Sequence, residues 1–495
     1  MADRDKGGDI KVGKQKKSPQ AAVKKTAVAA DSAKTKGSYA KVKKSTASKA
    51  RPAPKAPARV NTEFMGGTGP NSVGIKSRKR VRLPVKRFMW LLMLIIISAY
   101  ELFSAVIIVS DNERYRADIS LAFIIFLAAQ WGYYFVFCVM FKRRMELEII
   151  GFLFSSISLT ITASVHPDLI MTQFYALMMG LGIYIFMIYF LENANRVSAM
   201  RLPVALGAVG LLALPLVLRT NVNGAYNWLF IGGFSIQPSE LVKIAFVFVG
   251  AATLDKLQST QSLTTYLVFA GACVGLLFLQ RDFGTALIFF VTFLILAFMR
   301  SGDIRTIILV CVAAFFGAML IVWFKPHVTS RFESYRHIWE LMDGKGYQQT
   351  RTLIYALSGG LFGVGVGNGR LRGVFASTED LVFGVVCEEL GILTAVLIML
   401  TFLFLAVYTV RNASFARSTF YSIAACAAAG LLLFQTGLNV FGVTDLLPFT
   451  GVTMPFISRG GSSMMASWGL LAFIKASDIR TYPRVMKELL QQRAQ

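Results

Sequence analysis

Residues 88–109 read FMWLLMLIIISAYELFSAVIIV, twenty-two positions that hold one charged side chain, Glu101. A helix of that length rises about 33 Å, enough to cross the roughly 30 Å hydrocarbon core of a bilayer. Runs of the same kind recur at 118–141, 147–165, 168–191, 202–218, 238–254, 263–280, 283–299, 304–324, 381–409, 418–442 and 452–475. The sequence thus predicts an all-α polytopic membrane protein with about twelve transmembrane helices. The composition of the 495 residues agrees, with 55% hydrophobic and 16% charged residues and a mean hydropathy of +0.56. Soluble domains run nearer 45–50% apolar and about 25% charged.

The net charge of +25 is concentrated at one end. Up to Arg87 there are 24 Lys and Arg against 5 Asp and Glu, a net of +19, which leaves +6 for everything after. Residues 1–87 are rich in Lys, Ala, Ser, Thr, Gly and Pro and read as a disordered, basic cytoplasmic tail. No apolar run falls early enough for a signal peptide. Basic residues segregated in a tail, rather than interleaved with a folded domain, argue against nucleic acid as a partner. Cys138, Cys273, Cys311, Cys387 and Cys426 stand singly, and His166, His327 and His337 are scattered. This pattern supports neither a disulfide framework nor a zinc site.

Cations alternate between connections as the positive-inside rule requires. Lys142-Arg143-Arg144, Arg196 with Arg201, Lys256, Arg300 with Arg305, Arg411 with Arg417, and the C-terminal tail 481–495 fall on one side with the basic N-terminal tail. The opposite connections are leaner, as in His166-Pro167-Asp168 and Thr444-Asp445-Leu446-Leu447-Pro448. Both termini are therefore expected in the cytoplasm, and the one long loop, 325–380, outside. A connection of that length with aromatics, charges and glycines is expected to be ordered and functional.

Four stretches carry chemistry. Asn223-Gly224-Ala225-Tyr226-Asn227-Trp228 leads to Gln237-Pro238-Ser239-Glu240-Leu241-Val242-Lys243, where Pro238 suits a first helical turn and Glu240 and Lys243, three apart, suit an ion pair. That pair reads equally as a site or as mutual neutralisation of two intramembrane charges. Gln280-Arg281-Asp282-Phe283-Gly284-Thr285 reads as a helix cap or as part of a site. The long loop holds Arg331, Trp339-Glu340-Leu341-Met342-Asp343-Gly344-Lys345-Gly346-Tyr347-Gln348 and the run Gly359 to Gly369, followed by Thr378-Glu379-Asp380 and Glu388-Glu389. Backbone N–H groups of such a run, beside Arg331, Arg370 and Arg372, could approach an anionic head group; a flexible turn is the alternative. Pro448 to Ser463, with Pro455, Arg459, Gly460-Gly461, Ser462 and Ser463, predicts a broken helix lining a cavity.

Taken in order over roughly residues 145–480, these stretches resemble the shape, elongation, division and sporulation (SEDS) family of the FtsW, RodA and SpoVE type. The resemblance implies a core of about ten helices, with residues 88–144 as two extra N-terminal helices whose role it does not supply. It also implies an inverting peptidoglycan glycosyltransferase that polymerises lipid II at the outer face of the bacterial cytoplasmic membrane, for division or cell shape. The partners it implies are a class B penicillin-binding protein, other divisome or elongasome membrane proteins, and membrane lipids.

That reaction needs a base for the attacking sugar hydroxyl and positive charge for the departing pyrophosphate. The family carries a loop aspartate after Trp-Glu, and here Leu341 occupies that position. Asp343 and Glu340 are the neighbouring carboxylates and the candidate bases. The candidate substrate-binding residues are Arg331, Glu240, Lys243, Asp282, Tyr347, Gln348, Asp380, Arg459, Ser462 and Ser463. A divalent cation, Mg or Mn, is an alternative source of positive charge. Leu341 also motivates a different reading, a catalytically altered or inactive scaffold for a transpeptidase. The broken-helix signals motivate a third, a transporter of lipid-linked precursors.

Overall fold

The computed structural model describes residues 87–219, 224–231, 234–255, 260–305, 308, 310–312, 334–414 and 416–482. They belong to one compact unit, Asn61–Gln495; the other, Met1–Val60, lies outside the described residues. So do the rest of the basic tail up to residue 86, Arg331, most of the expected span 304–324, and the tail from 483 onward.

The helices are α1 (Arg87–Asp111), α2 (Arg116–Tyr133, continuing as a π-helical turn, Tyr134–Met140), α3 (Glu146–Val165), α4 (Ile170–Phe190) and α5 (Ala194–Leu218). An antiparallel hairpin follows, β1 (Leu229–Ile231) with β2 (Phe234–Ile236), Leu229 opposite Ile236. Then come α6 (Pro238–Asp255), α7 (Thr260–Leu279), α8 (Phe283–Ser301), α9 (Tyr347–Ser358), α10 (Val382–Val385, running into a π-helical turn, Val386–Leu390), α11 (Ile392–Ala413), α12 (Thr419–Val443) and α13 (Gly461–Ser477). Eight of the described helices, α1 to α5, α8, α11 and α12, are long and apolar enough to cross a bilayer. Their termini define a loop end, with residues 334–380, and a basic end, with Lys142 to Arg144 and Arg480.

The packing explains which spans face lipid and which face protein. Every residue of α13 from Ser462 to Ser477 is buried, as is nearly all of α3, so these two form the centre. Trp468 is the pivot: its ring meets Phe152, Tyr184 and Phe456 at centroid distances of 5.4, 5.3 and 5.6 Å. Space for it comes from Gly151, where a Cβ would stand 2.7 Å from the indole. At the basic end Lys475 and Glu148, both buried, pair at 2.9 Å. Tyr133 donates to the same carboxylate at 2.9 Å, and Lys475 also donates to the Arg144 carbonyl at 2.6 Å. A buried pair persists when its remaining donors and acceptors are satisfied in this way.

The structure departs from the sequence reading in three places. The expected span 452–475 is helical only from Gly461, because residues 452–460 take an irregular path. The expected span 381–409 breaks at Gly391, whose φ of +90° and ψ of 157° lie in a region open to glycine alone. The β1–β2 hairpin was not expected. Loop 325–380, expected to be ordered, contains α9.

Gly391 also sits where a Cβ would approach the Leu361 carbonyl oxygen to 2.3 Å. Gly391→Ala is therefore expected to destabilise the fold by about 1–3 kcal/mol from backbone strain, with the clash in addition. The check is the thermal midpoint of the detergent-purified protein; an unchanged midpoint would contradict the assigned conformation.

Candidate functional site

The irregular segment 452–460 passes through a body made of membrane-spanning helices, where a backbone polar group without a partner costs several kcal/mol. Side chains from the surrounding helices supply the partners. On α12, Gln435 Nε2 donates to the Thr453 carbonyl at 2.8 Å, and Asn439 Nδ2 donates to the Val452 carbonyl at 2.7 Å. Gly460 N–H donates to Gln173 Oε1 of α4 at 3.2 Å. Met454 and Phe456 N–H groups donate to the hydroxyls of Ser458 and Ser467, at 2.8 and 3.1 Å. Arg459 N–H donates to the Thr378 carbonyl at 2.7 Å. The segment is thus pinned on every side, which is how non-helical backbone survives at this depth.

Around it two polar groups form. The first joins α6, α8, α12 and α13. Lys243 Nζ, fully buried, donates to Glu240 Oε1 at 2.7 Å and to Gln435 Oε1 at 2.9 Å. Gln435 continues to Thr453, whose hydroxyl meets Ser463 Oγ at 2.8 Å. Beside this chain, Asp282 caps α8 by accepting from the Thr285 N–H at 3.1 Å. Its other oxygen accepts from Asn227 Nδ2 and Gln237 Nε2, both at 3.0 Å. Gln237 N–H donates to Ser462 Oγ at 2.9 Å, which closes the circuit onto α13. Asn227 Oδ1 and Ser239 Oγ are buried here without a hydrogen-bond partner, the kind of orphaned polar atom that a polar ligand or water would satisfy.

The second group lies where the long loop meets the irregular segment. Arg459 pairs with Glu379, and its Nε donates to Thr378 Oγ1 at 3.1 Å. The Asp380 carbonyl accepts from Asn439 at 2.8 Å, and its carboxylate lies against Gly451, 3.1 Å from where a Cβ would stand. His166 faces the same region, and partial burial, aided by the Arg459 charge, holds its imidazole below the usual value.

The candidate bases lie in a third place. Residues 341–346 form a closed turn, because the Leu341 carbonyl accepts from both Gly344 and Gly346 N–H groups at 3.0 Å. Asp343 is exposed on this turn, and Glu340 is exposed with its carboxylate 3.3 Å from His337 Nδ1. Tyr347 is partly exposed beneath Arg351, and Gln348 Nε2 donates to the Phe375 carbonyl at 2.9 Å. The turn is anchored to the body by Thr350 Oγ1, donating to the Ile338 carbonyl at 3.0 Å, and by Gln349 Nε2, donating to the Gly442 carbonyl at 2.7 Å.

So the structure gathers Glu240, Lys243, Asp282, Ser462 and Ser463 into one network, places Asp380 and Arg459 beside it, and carries Glu340, Asp343, Tyr347 and Gln348 on a separate support. Arg331 lies outside the described residues. The glycine-rich run corrects an expectation. Its Val364 and Gly365 N–H groups donate to the carbonyls of Glu388 and Glu389 at 2.8 and 3.2 Å, and Gly367 N–H donates to Ser164 Oγ at 3.0 Å. Arg370 and Leu371 N–H groups donate to the Glu388 carboxylate at 2.6 and 3.0 Å. Those donors are committed within the protein, so the run is a latch around two buried carboxylates rather than an anion cradle. Among the described residues no three His, Cys, Asp or Glu side chains stand close enough to hold a metal ion. Sequence reasoning missed Gln173, Gln435 and Asn439; their one signal is an amide within an apolar helix.

Comparison with known proteins matches residues 134–480 to the FtsW, RodA and SpoVE family model, described as cell cycle protein, leaving α1 and α2 before the match. A probable peptidoglycan glycosyltransferase FtsW from Wigglesworthia glossinidia brevipalpis is 30% identical over 381 residues, covering 71% of this chain and 96% of that protein. The peptidoglycan glycosyltransferase RodA of Mycobacterium tuberculosis H37Rv is 27% identical over 344 residues, covering 64% and 73%. Among solved structures, a chain from work on the structural coordination of polymerization and crosslinking by a peptidoglycan synthase complex superposes with a TM-score of 0.55. It is 23% identical and covers 68% of this chain and 98% of that one.

Proposed function

The chain belongs to the FtsW, RodA and SpoVE family of cell cycle proteins, and on that premise we propose that it is a peptidoglycan glycosyltransferase that polymerises lipid II into glycan strands. The observation that carries the reading is the convergence of residues 237–243, 282–285 and 453–463 on one polar network inside an apolar helical body. The relatives that share most of its length are named for this activity.

In the proposed reaction the acceptor's sugar hydroxyl attacks the anomeric carbon of the donor. The C–O bond to the lipid pyrophosphate breaks with inversion, and a carboxylate takes the hydroxyl proton. We assign that base to Asp343, with Glu340 as the alternative, because both are exposed on the loop that follows the family's Trp-Glu pattern. Arg459 and Arg331 are the proposed counter-charges for the pyrophosphate, and Asp282, Ser462, Tyr347, Gln348 and Asp380 its proposed neighbours. Glu240, Lys243 and Ser463, expected to bind substrate, are buried and bonded to one another or to Gln435 and Thr453, and their proposed first role is to hold α6, α12 and α13 in place.

Both termini are proposed to be cytoplasmic and the loop end to be outside, because the cations gather at the basic end. A class B penicillin-binding protein is the proposed partner, and 1–87 and 481–495 the proposed cytoplasmic tails. The test is glycan-chain synthesis from purified lipid II by the protein co-purified with that partner, with a conventional family member in parallel. Long glycan products are expected. Their absence, with the partner bound and the control active, would overturn the proposal in favour of a scaffold. Leu341 favours that second reading, and under it Leu341→Asp is expected to create activity that the wild type lacks, with partner binding unchanged.

A further inference from the structure

Helix α9 has its polarity inverted for a loop that stands in water. Its buried positions are Gln349, Thr350 and Thr352, and its exposed ones include Ile354 and Leu357. The apolar face continues through the next turn, where Leu357, Leu361 and Phe362 are 70%, 65% and 80% exposed. This turn is fixed directly to the start of a membrane span. Ile392 N–H donates to the Gly360 carbonyl at 3.0 Å and Leu393 N–H to the Leu361 carbonyl at 3.2 Å. Gly363, at φ +84°, and Gly391 permit the contact, since a Cβ at either would fall within 2.3 Å of the other strand's backbone. The exposed stripe of α11 that begins at Leu393 and Val396 thereby runs without interruption into Leu361 and Phe362.

The segment that bears this face carries charge of one sign, although the Asp111 carboxylate lies beside Gly367. Residues 344–378 contain no Asp or Glu but carry Lys345, Arg351, Arg370 and Arg372. Arg351 lies 5.4 Å from the centre of the Tyr347 ring, at the end of α9 away from Leu357. Apolar side chains on one level, with Tyr and Arg above them, is the arrangement of an element lying in a bilayer interface.

We propose that α9 and the turn Gly359–Val364 are seated in the membrane leaflet at the loop end, with Leu357, Leu361 and Phe362 among the acyl chains and Arg351, Arg370 and Arg372 at the lipid phosphates. The occupant of this face is lipid, because the face adjoins the exposed apolar side of α11 and the charged side chains of the segment that bears it, 344–378, are all cationic. α9 starts at Tyr347, directly after Gly346, the last residue of the turn bearing Asp343, so the seat fixes that turn at head-group height. This consequence rests on the polymerase reading; the placement does not, and its test needs no activity.

The test places a nitroxide at Phe362→Cys in the full chain with Cys311→Ser, Cys311 being exposed and Cys138, Cys273, Cys387 and Cys426 buried. The protein is held in nanodiscs of phosphatidylcholine and phosphatidylglycerol. Oxygen, which partitions into hydrocarbon, is expected to relax this label several-fold more than a water-soluble nickel chelate does. The order should be reversed at Lys345→Cys, on the exposed turn. Leu357→Cys gives the same reading at a second position should the first variant not fold. A label that favours nickel at 357 or 362 would overturn the proposal by placing the face in water. A label shielded from both reagents would overturn it by placing protein there, a second copy or a partner.

Discussion

Asp343→Asn should lower the rate of glycan-chain elongation by about 10²–10⁴-fold, the range a general base contributes, while leaving the folded protein unchanged. The substitution keeps shape and hydrogen-bonding capacity and removes only the ability to take a proton. Asp343 is exposed, and the turn that carries it is closed by backbone bonds from Gly344 and Gly346 to the Leu341 carbonyl, so its side chain is not needed for the fold. A loss of rate with unchanged thermal midpoint and partner binding thus isolates chemistry from folding. Glu340→Gln is the matched control, expected to keep most of the rate, since Glu340 already faces His337. If Glu340→Gln is the variant that fails, the base is Glu340. If both variants polymerise at the wild-type rate, neither carboxylate is the base and the catalytic assignment falls.

That prediction depends on a part of the chain whose sequence was only half legible. The spans were readable because length and apolarity are local properties: α1 to α5, α8 and α12 lie where apolar runs placed them. The Glu240–Lys243 pair was readable for the same reason, spacing within one helix fixing it before any tertiary contact. The break at Gly391 was not, because residues 381–409 are uncharged except for Glu388-Glu389 and mostly apolar. What breaks them is the distant turn 360–364 wrapped round Gly391. Pro455 and Gly460-Gly461 announced an irregular segment but not where its backbone groups would find partners. Those partners come from two other helices, Gln173 from α4 and Gln435 and Asn439 from α12, and an amide in an apolar run looks the same whether it serves a ligand, a backbone or nothing. The glycine-rich run misled in the same way. Its composition left an anion cradle and a flexible turn both open, and only the fold shows its N–H groups committed to Glu388, Glu389 and Ser164.

The other large effect concerns the network beneath the site. Lys243→Met is expected to destabilise the protein by about 3–5 kcal/mol, because it strands a carboxylate that has no access to water. In the wild type, Lys243 satisfies Glu240 at 2.7 Å and Gln435 at 2.9 Å, and all three are buried. Methionine keeps the volume and removes both donors, so the loss measures electrostatics rather than a cavity. Adding Glu240→Gln removes the stranded charge and is expected to restore most of the stability, which a mere packing defect at position 243 would not permit. The restored double variant then separates two roles for Lys243. If the lysine only braces α6 against α12, the double variant should recover polymerase activity along with its thermal midpoint. If the ammonium group also meets the substrate's pyrophosphate, stability should return without activity. A Lys243→Met protein as stable as the wild type would show that the three side chains do not form the coupled unit seen here.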